Sequence, residues 1–471
     1  MQHSIVKKGT LNEEFRIDAE YYSLENLTKE DAVTRNNYIR LGGICELVAG
    51  PFGSTVTTEK YDVTSDKRYI RGKDIQSFFI EKKDAVFLDN NLFDELPQFH
   101  LRADDILLTV VGMKFGKSAI VSAEDCPAVF SCKSTLVRNP SVNVWYLLTY
   151  LSSSIGYGLV RRGHRGAAQP GINLFDIRNV PVPIFGDNFQ SRIEILVKHA
   201  KSLVTASNTA FVDAQTLLLS KLGLINWQPR HQRTFVKNHS DTEQAERIDA
   251  EYFQPKYEEI DKVLMKFNGK PMGSCEFLDI TTGQYCDNYV ASNEGQPYLR
   301  GTDLAAGSVE VDNLVYIKQE EQIQSKQAQE GDVVVTRVGT IGLSARIPNE
   351  CAGGTISDNL VRVRILDKKK IDSYYLTCFL GSEIGKSLML RNARGSVQQR
   401  LNQETLKEIM LPIPEIEIQS KIKHKVVESF NLRRQSKHLL EYAKRAVEMA
   451  IEQDEKKASN WLRNKTKEMQ I

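Results

Sequence analysis

The chain has 471 residues, which at roughly 100–200 residues per domain predicts two to four domains. With 41% apolar and 26% charged residues it has the make-up of an ordinary globular protein, which excludes wholesale disorder. The formal net charge is only +2, and no apolar run nears the ~18 residues of a bilayer span, so composition announces neither a nucleic-acid binder nor a membrane protein.

The first ten residues are basic but lack an apolar stretch of the secretory kind. Seven cysteines lie between Cys45 and Cys378 without a C-x-x-C pair. That spacing predicts reduced thiols in a cytoplasmic protein rather than a disulfide framework or a structural zinc. Arg16-Ile17-Asp18-Ala19-Glu20-Tyr21-Tyr22 is the first distinctive segment, followed by Tyr69-Ile70-Arg71-Gly72-Lys73-Asp74-Ile75. Ile106-Leu107-Leu108 is a short apolar run between Asp105 and the glycines 112 and 116, so it reads as a buried strand running into tight turns. Val144 to Arg161 reads as a helix. Pro181-Val182-Pro183 then stops the globular pattern, and from Asp187 to Leu222 there is neither Pro nor Gly. Asp187-x-x-Gln190 has the spacing of a capping box. Positions 193, 196, 200, 203, 207, 210, 214 and 217 hold Ile, Leu, Ala, Leu, Ser, Ala, Ala and Leu, a heptad seam with small residues in it. Such a helix is about 50 Å long at ~1.5 Å per residue.

The same order then returns. Arg247-Ile248-Asp249-Ala250-Glu251-Tyr252-Phe253 repeats the first segment at an offset of 247 − 16 = 231, and Tyr298-Leu299-Arg300-Gly301-Thr302-Asp303-Leu304 repeats the second at 298 − 69 = 229. Asp332-Val333-Val334-Val335-Thr336 answers Asp105–Thr109 at 332 − 105 = 227, with Gly339 and Gly342 after it. Leu360-Val361-Arg362 answers Leu136-Val137-Arg138 at 360 − 136 = 224. From Tyr146 and Tyr375 onward the register holds at 229 through Gly156, Arg162, Arg165, Gln169, Asn173, Pro183 and Gln190. The chain is thus a tandem duplication of a unit of about 230 residues. In the second copy Tyr374 to Arg391 reads as a helix, Pro412-Ile413-Pro414 as the stop, and Glu415 to the C-terminus as a long helix. Its seam is weaker: Ile422, Lys425, Ser429, Leu432, Ser436, Leu439, Ala443 and Ala446. Two long helices with small seam residues are expected to pack on each other, the apolar contacts being Ile193, Leu196, Leu203, Leu217, Ile422, Leu432 and Leu439.

No catalytic signature stands out. The sequence lacks G-x-x-x-x-G-K-[ST], G-x-S-x-G, H-E-x-x-H and the Asn/Asp-Pro-Pro-aromatic tetrapeptide of amino-methyltransferases, and its eight histidines are scattered. Basic residues instead gather at matching places. Arg161, Arg162, His164 and Arg165 form one cluster, and Arg391, Arg394 and Arg400 its counterpart. Lys114, Lys117 and Lys133 flank the turns of the first copy, Arg337 and Arg346 those of the second. Arg71, Lys73 and Arg300 belong to the repeated Arg-Gly-x-Asp segments. Such residues suit phosphate contacts, with the unmatched loops beside them suited to reading bases.

The duplicated Arg-Ile-Asp-Ala-Glu-Tyr entry, the Arg-Gly-x-Asp and Gly-x-x-Gly segments, and the Gly-x-x-Gln…Asn…Pro-x-Pro approach to a long helix together resemble the specificity subunit of type I restriction-modification systems. The resemblance covers nearly the whole chain and rests on the duplicated order rather than on any one motif. It implies an α+β fold: two tandem mixed α/β target-recognition domains separated by two long antiparallel coiled-coil helices, with pseudo-twofold symmetry. The implied layout is an N-terminal segment 1–35, recognition domain 36–186, spacer helix 187–225, linker and second entry 226–267, recognition domain 268–414 and spacer helix 415–471. It further implies a non-catalytic, cytoplasmic subunit that reads a bipartite, asymmetric site on double-stranded DNA in phage defence. Two methyltransferase subunits would dock on it, joined by restriction/translocase subunits, with S-adenosylmethionine, ATP and Mg held by those partners. The alternatives are a specificity subunit of a fused methyltransferase-nuclease and a duplicated coiled-coil scaffold that binds no DNA.

Overall fold

The computed structural model describes residues 16–82, 84–112, 115–166, 170–227, 230–305, 307–312, 314–395 and 399–468, with Val6 and Leu11. The chain forms two compact units, residues 1–204 with 434–471, and residues 205–433. Both are mixed α+β.

In the first unit the apolar run Ile106–Thr109 is a strand buried at every position. It is the middle of a five-stranded sheet in the order Glu46–Ala49, Ser134–Arg138, Ile106–Thr109, Ser118–Ile120, Phe78–Phe79. A three-stranded sheet, Val86–Leu88, Lys67–Ile70 and Ala128–Phe130, accompanies it. The second unit repeats the plan. Leu278–Thr282, Leu360–Ile365, Val333–Thr336 and Ser344–Arg346 form one sheet, and Val315–Ile317, Gln296–Leu299 and Thr355–Ile356 the other. The fifth strand shrinks there to a single parallel bridge, Gly307 to Ala345. Phe78 and Gly307 share a left-handed backbone, φ 70° and 81°. A side chain has no room at 307, because an added Cβ would stand 2.9 Å from the Phe211 ring.

Strand pairing corrects one part of the repeat register. Ile106 pairs with Val137, and Val333 with Val363. Arg138 is therefore matched by Arg364 rather than Arg362. Arg138 grips Asp105 through Nε and Nη2 (2.8 and 2.5 Å), and Arg364 grips Asp332 through the same two atoms (2.9 and 2.8 Å). The Leu-Val-Arg match was two residues out of step, an error that alternation cannot expose because a shift of two keeps every side chain on its face. Arg362 stands where the first unit buries Leu136. It is 2% exposed and bonded to the carbonyls of Ser325 and Gln327 and to Asp279. Burial lowers its pKa, and Arg364 lowers it further.

The helix expected over Val144 to Arg161 is two helices, Val144–Ser152 and Ser154–Arg162, and its counterpart is Ser373–Gly381 and Glu383–Asn392. At the break the Ser153 hydroxyl donates to the Tyr150 carbonyl (2.6 Å) and accepts from the Gly156 N–H (3.1 Å). Ser382 does the same with Phe379 and Gly385. The chain folds back so tightly that a Cβ at Gly156 would lie 2.0 Å from the Tyr150 carbonyl oxygen, and one at Gly385 2.2 Å from that of Phe379. The Pro-rich stops are tied to these helices, since Tyr146 donates to the Pro183 carbonyl and Tyr375 to that of Pro412.

Two long helices follow, Asp187–Lys221 and Ile416–Glu452, the latter broken before Glu455–Glu468. The C-terminal stretch is thus not one helix; the Asp454 carboxylate accepts from the Lys457 N–H and starts a new one. The expected capping box is also absent. The Gln190 side chain accepts from the Asn143 N–H and donates to the Phe185 carbonyl, fastening the helix start to the globular part (2.9 and 2.8 Å). Gln419 does the same in the second unit with Asp372 and Pro414.

Within the first unit Ile193, Leu196 and Ala200 share one hydrophobic cluster with Leu439, Ala443, Ala446 and the globular residues Trp145 and Tyr146. There the Ser436 hydroxyl donates to the Ala200 carbonyl (2.7 Å). Within the second unit Ala214 and Leu218 cluster with Ile422 and Val426. Ser207 and Ser429 donate to each other's carbonyls at 2.9 and 2.7 Å. Ser207 meets Ser429 while Asp213 meets Lys425, so the helices run antiparallel there. The seam drifts by one residue from strict heptads. Leu218 takes the fully buried place expected for Leu217, and Val426 that of Lys425, while Leu203, Leu217 and Leu432 are half-buried.

Gly156→Ala and Gly385→Ala are expected to destabilise the unit that holds them by at least about 2 kcal/mol, since the added carbon forces a backbone shift. Thermal unfolding checks this: each falls by about 4 °C or more, while Gly53→Ala, with its nearest atom at 3.4 Å, changes little.

Candidate nucleic-acid interface

The repeated entry segments act as clasps inside each unit. Arg16 donates to the His164 carbonyl (2.8 Å) and bonds Asp18, and the Arg162 guanidinium donates to the Tyr21 carbonyl and to Glu30 while lying 4.0 Å over the Tyr21 ring. In the second unit Arg247 donates to the Arg391 and Ala393 carbonyls and bonds Asp249, while Arg391 donates to the Tyr252 carbonyl and to Asp261. Burial is the largest single influence on the Asp18 and Asp249 carboxyls and raises their pKa, but hydrogen bonds from the arginine and from backbone N–H groups, with the arginine charge, together leave both lowered. The clasp fixes the end of a helix from which a short antiparallel pair emerges, His164–Arg165 with Gly171–Ile172 in one unit and the Arg394–Arg400 bridge in the other.

This pair lies beside the glycine turn. Val111 bridges Gly171 and Val338 bridges Arg400. Gly112, Gly116, Gly339 and Gly342 all have positive φ, so the tight turns follow from glycine's lack of a Cβ. The Arg-Gly-x-Asp segment adjoins them. Arg71 and Arg300 each hold an aspartate three residues on, Asp74 and Asp303, by paired bonds of 2.9–3.2 Å. Those bonds raise both guanidinium pKa values. A Cβ at Gly72 would meet the Lys133 Cβ at 3.2 Å, and the Lys133 carbonyl accepts from the Val110 N–H. The loop after the first strand closes the face. Gly50 presses against the Ser131 carbonyl and Gly283 against that of Ser357, so closely that an added Cβ at either would stand 2.2 Å from the carbonyl oxygen. Phe52 and Tyr285 follow two residues later. Each unit thus presents one continuous face made of this loop, the Arg-Gly-x-Asp segment, the glycine turn and the basic pair.

A family model of the type I restriction modification DNA specificity domain matches residues 276–437. The type I restriction enzyme EcoBI specificity subunit of Escherichia coli is 28% identical over 142 residues, 29% of this chain and 29% of that protein. The chain therefore matches under a third of that relative's length. The crystal structure of a type I restriction-modification S subunit from M. genitalium aligns over 88% of this chain and 96% of its own, with 13% identity and a TM-score of 0.38. That of the HsdS subunit from Thermoanaerobacter tengcongensis aligns over 89% and 97%, with 14% identity and a TM-score of 0.29.

Within the matched stretch and its repeat counterpart the basic candidates fall into two groups. Lys73, Lys133, Arg165 and Arg394 are exposed on the shared face. Arg165 is 42% exposed and leans on Asp176 at 3.2 Å. Lys117 is half-buried with its Nζ on Gln76, and Lys114 lies outside the described residues. The others are held within their unit. Arg162 and Arg391 serve the clasps. Arg337 donates to the Asp358 carbonyl and to Asn402, and Arg346 bonds Ser373 and Glu330 and stacks on Tyr374. Arg71 and Arg300 brace their own turns. Charge alone did not separate these groups, because a phosphate-binding arginine and a carbonyl-capping arginine look identical in sequence. No helix of the described residues is long and apolar enough to cross a membrane.

Lys133→Ala, Arg165→Ala and Arg394→Ala are expected to weaken DNA binding several-fold and to flatten its salt dependence by about one in slope each, with the preferred sequence unchanged. Arg162→Ala is expected instead to lower stability by about 2–3 kcal/mol, because it leaves the Tyr21 carbonyl without its donor and Glu30 with only Arg40 as a cationic partner. Salt-titrated binding and denaturant unfolding on the same variants separate the two. Loss of sequence preference in Arg165→Ala would make it a base reader.

Proposed function

We propose that this chain is the DNA sequence-specificity subunit of a type I restriction-modification complex and performs no catalysis itself. Each unit reads one half of a bipartite, asymmetric site in double-stranded DNA. The observation that carries the reading is one framework used twice with different side chains on the same face. Arg-Gly-Lys73 corresponds to Arg-Gly-Thr302, Phe52 to Tyr285, and Cys132-Lys133 to Asp358-Asn359, while the clasps, serine breaks and glutamine fasteners between them are the same. A scaffold has no reason to keep the frame of that face and change the side chains it presents. Sequence readers do, because phosphate contacts position and side chains at base edges specify.

In this reading the long helices act as the ruler. A length of about 50 Å matches about 15 base pairs at ~3.4 Å each, and half-site centres are expected about 10–13 base pairs apart, so that both units address one face of the duplex. The outer helix faces dock two methyltransferase subunits, to which restriction/translocase subunits are added. S-adenosylmethionine, ATP and Mg belong to those partners, and target methylation swings an adenine into the methyltransferase pocket. The match of residues 276–437 to a specificity domain supports the reading for the second unit, and the internal repeat extends it to the first.

The test is selection of bound sequences from a random DNA pool by the chain copurified with its methyltransferase subunits. Two separated, different half-sites are expected; a continuous or palindromic sequence contradicts the proposal. Inserting four residues after Val204 and four after Arg433 adds about one turn, ~6 Å, to both helices. That is expected to lengthen the unread spacer by one or two base pairs and to leave the bases read unchanged. Two residues in one helix alone rotate its seam by about 200° and are expected to abolish methyltransferase copurification.

A further inference from the structure

Phe52 and Tyr285 have no role in either core. Phe52 is 86% and Tyr285 69% exposed, an unfavourable state for an aromatic ring in water. Their equivalence is fixed by backbone geometry. Gly50 donates to the Ser134 carbonyl and Gly283 to the Leu360 carbonyl, at 3.1 Å in each unit. The same position is aromatic in both units although its neighbours differ, Pro51 and Gly53 in one, Gln284 and Cys286 in the other.

In the second unit the ring borders a cavity of about 570 Å³, lined among others by Tyr289, Arg300, Gly339, Ser357 and Asn359. Internal bonds hold its walls: Arg300 is braced by Asp303, and Tyr298 donates to the Gln284 carbonyl. Ser357 is 3% exposed, and its hydroxyl oxygen has no hydrogen-bond partner within the unit. A buried hydroxyl left unmatched is costly, so its position on a cavity wall marks a place for a polar group brought from outside. In the first unit the equivalent Ser131 is satisfied by Ser134 and the Lys133 N–H.

We propose that Phe52 and Tyr285 are the apolar base contacts of their units, and that in the second unit the cavity beside Tyr285 receives the edge of that base, hydrogen-bonded by Ser357. This rests on the reading of the chain as a two-part DNA reader. An aromatic ring packs against a base or a thymine methyl whatever the sequence beyond it, and a hydroxyl serves either a donor or an acceptor edge. In each unit the ring discriminates through its apolar face, which a thymine methyl fills best, and in the second unit the serine hydroxyl adds a hydrogen bond to the same base.

The experiment is sequence selection from a random DNA pool by the full chain with its methyltransferase subunits, run for wild type, Phe52→Ala, Tyr285→Ala and Ser357→Ala, with salt-titrated binding to the wild-type site. Tyr285→Ala and Ser357→Ala are expected to relax the same single position of one half-site, with discrimination there falling about tenfold. Phe52→Ala is expected to relax one position of the other half-site. The salt slope stays as in wild type, since no phosphate contact is lost. Exposed rings carry no core, so melting temperatures are unchanged. If wild type selects no bipartite site, the underlying reading fails. If wild type selects one and the variants select it unaltered, this inference alone fails. A uniform loss of affinity with a flatter salt slope overturns it too, as does relaxation of different positions by Tyr285→Ala and Ser357→Ala.

Discussion

Everything in each unit hangs on the close approach of two helix backbones across small residues. A serine hydroxyl that donates to a carbonyl of the facing helix, as Ser436 does to Ala200 and Ser207 and Ser429 do to each other, requires backbones nearer than leucine side chains allow. Ala210, Ala214, Ala443 and Ala446 are buried along the same seam. The hydroxyls remove the penalty of burying polar groups, because every one has an acceptor. The apolar residues on either side then reach the globular part. One cluster holds Ile193, Leu439 and Tyr146 together, and the other Leu218, Ile422 and Tyr375. The helix stretch is therefore part of the core of its unit and not an appendage to it.

The duplication separates what the fold needs from what varies. Gln190 and Gln419 fasten a helix start, Ser153 and Ser382 turn a chain, and Arg162 and Arg391 close a clasp. Each pair makes the same bonds in both units. On the face beside the glycine turns the shared Arg-Gly-x-Asp frame carries different side chains: Lys73 corresponds to Thr302, Lys133 to Asn359 and Phe52 to Tyr285. A rigid framework beneath a variable rim is the arrangement a recognition surface requires, because side chains must be held still before their differences can discriminate between bases.

Much of this was legible in the sequence. The repeat itself, the buried strands at Ile106 and Val333, the Pro-rich stops and the long helices all leave local signals in composition and period. The polar seam serines were legible as positions but not as interactions, since their acceptors lie on the other helix. Three features were hidden. The serine breaks within Val144–Arg162 and Ser373–Asn392 depend on a fold-back that no hydrophobic period records, though the shared Ser-x-Ile-Gly was its trace. The two-residue slip at Arg362 was invisible to alternation. The division of the arginines into clasps and surface residues depends on carbonyl partners far away in sequence, such as Tyr21 for Arg162 and Tyr252 for Arg391.

The central claim is that the two units read two different half-sites for one complex. Genome-wide mapping of methylated motifs in the host, with this gene present and deleted, tests it most directly. The account predicts one asymmetric motif in two parts, separated by a fixed unread spacer, that is methylated with the gene and lost without it. Methylation unchanged on deletion, or loss of a continuous or palindromic motif, would contradict it.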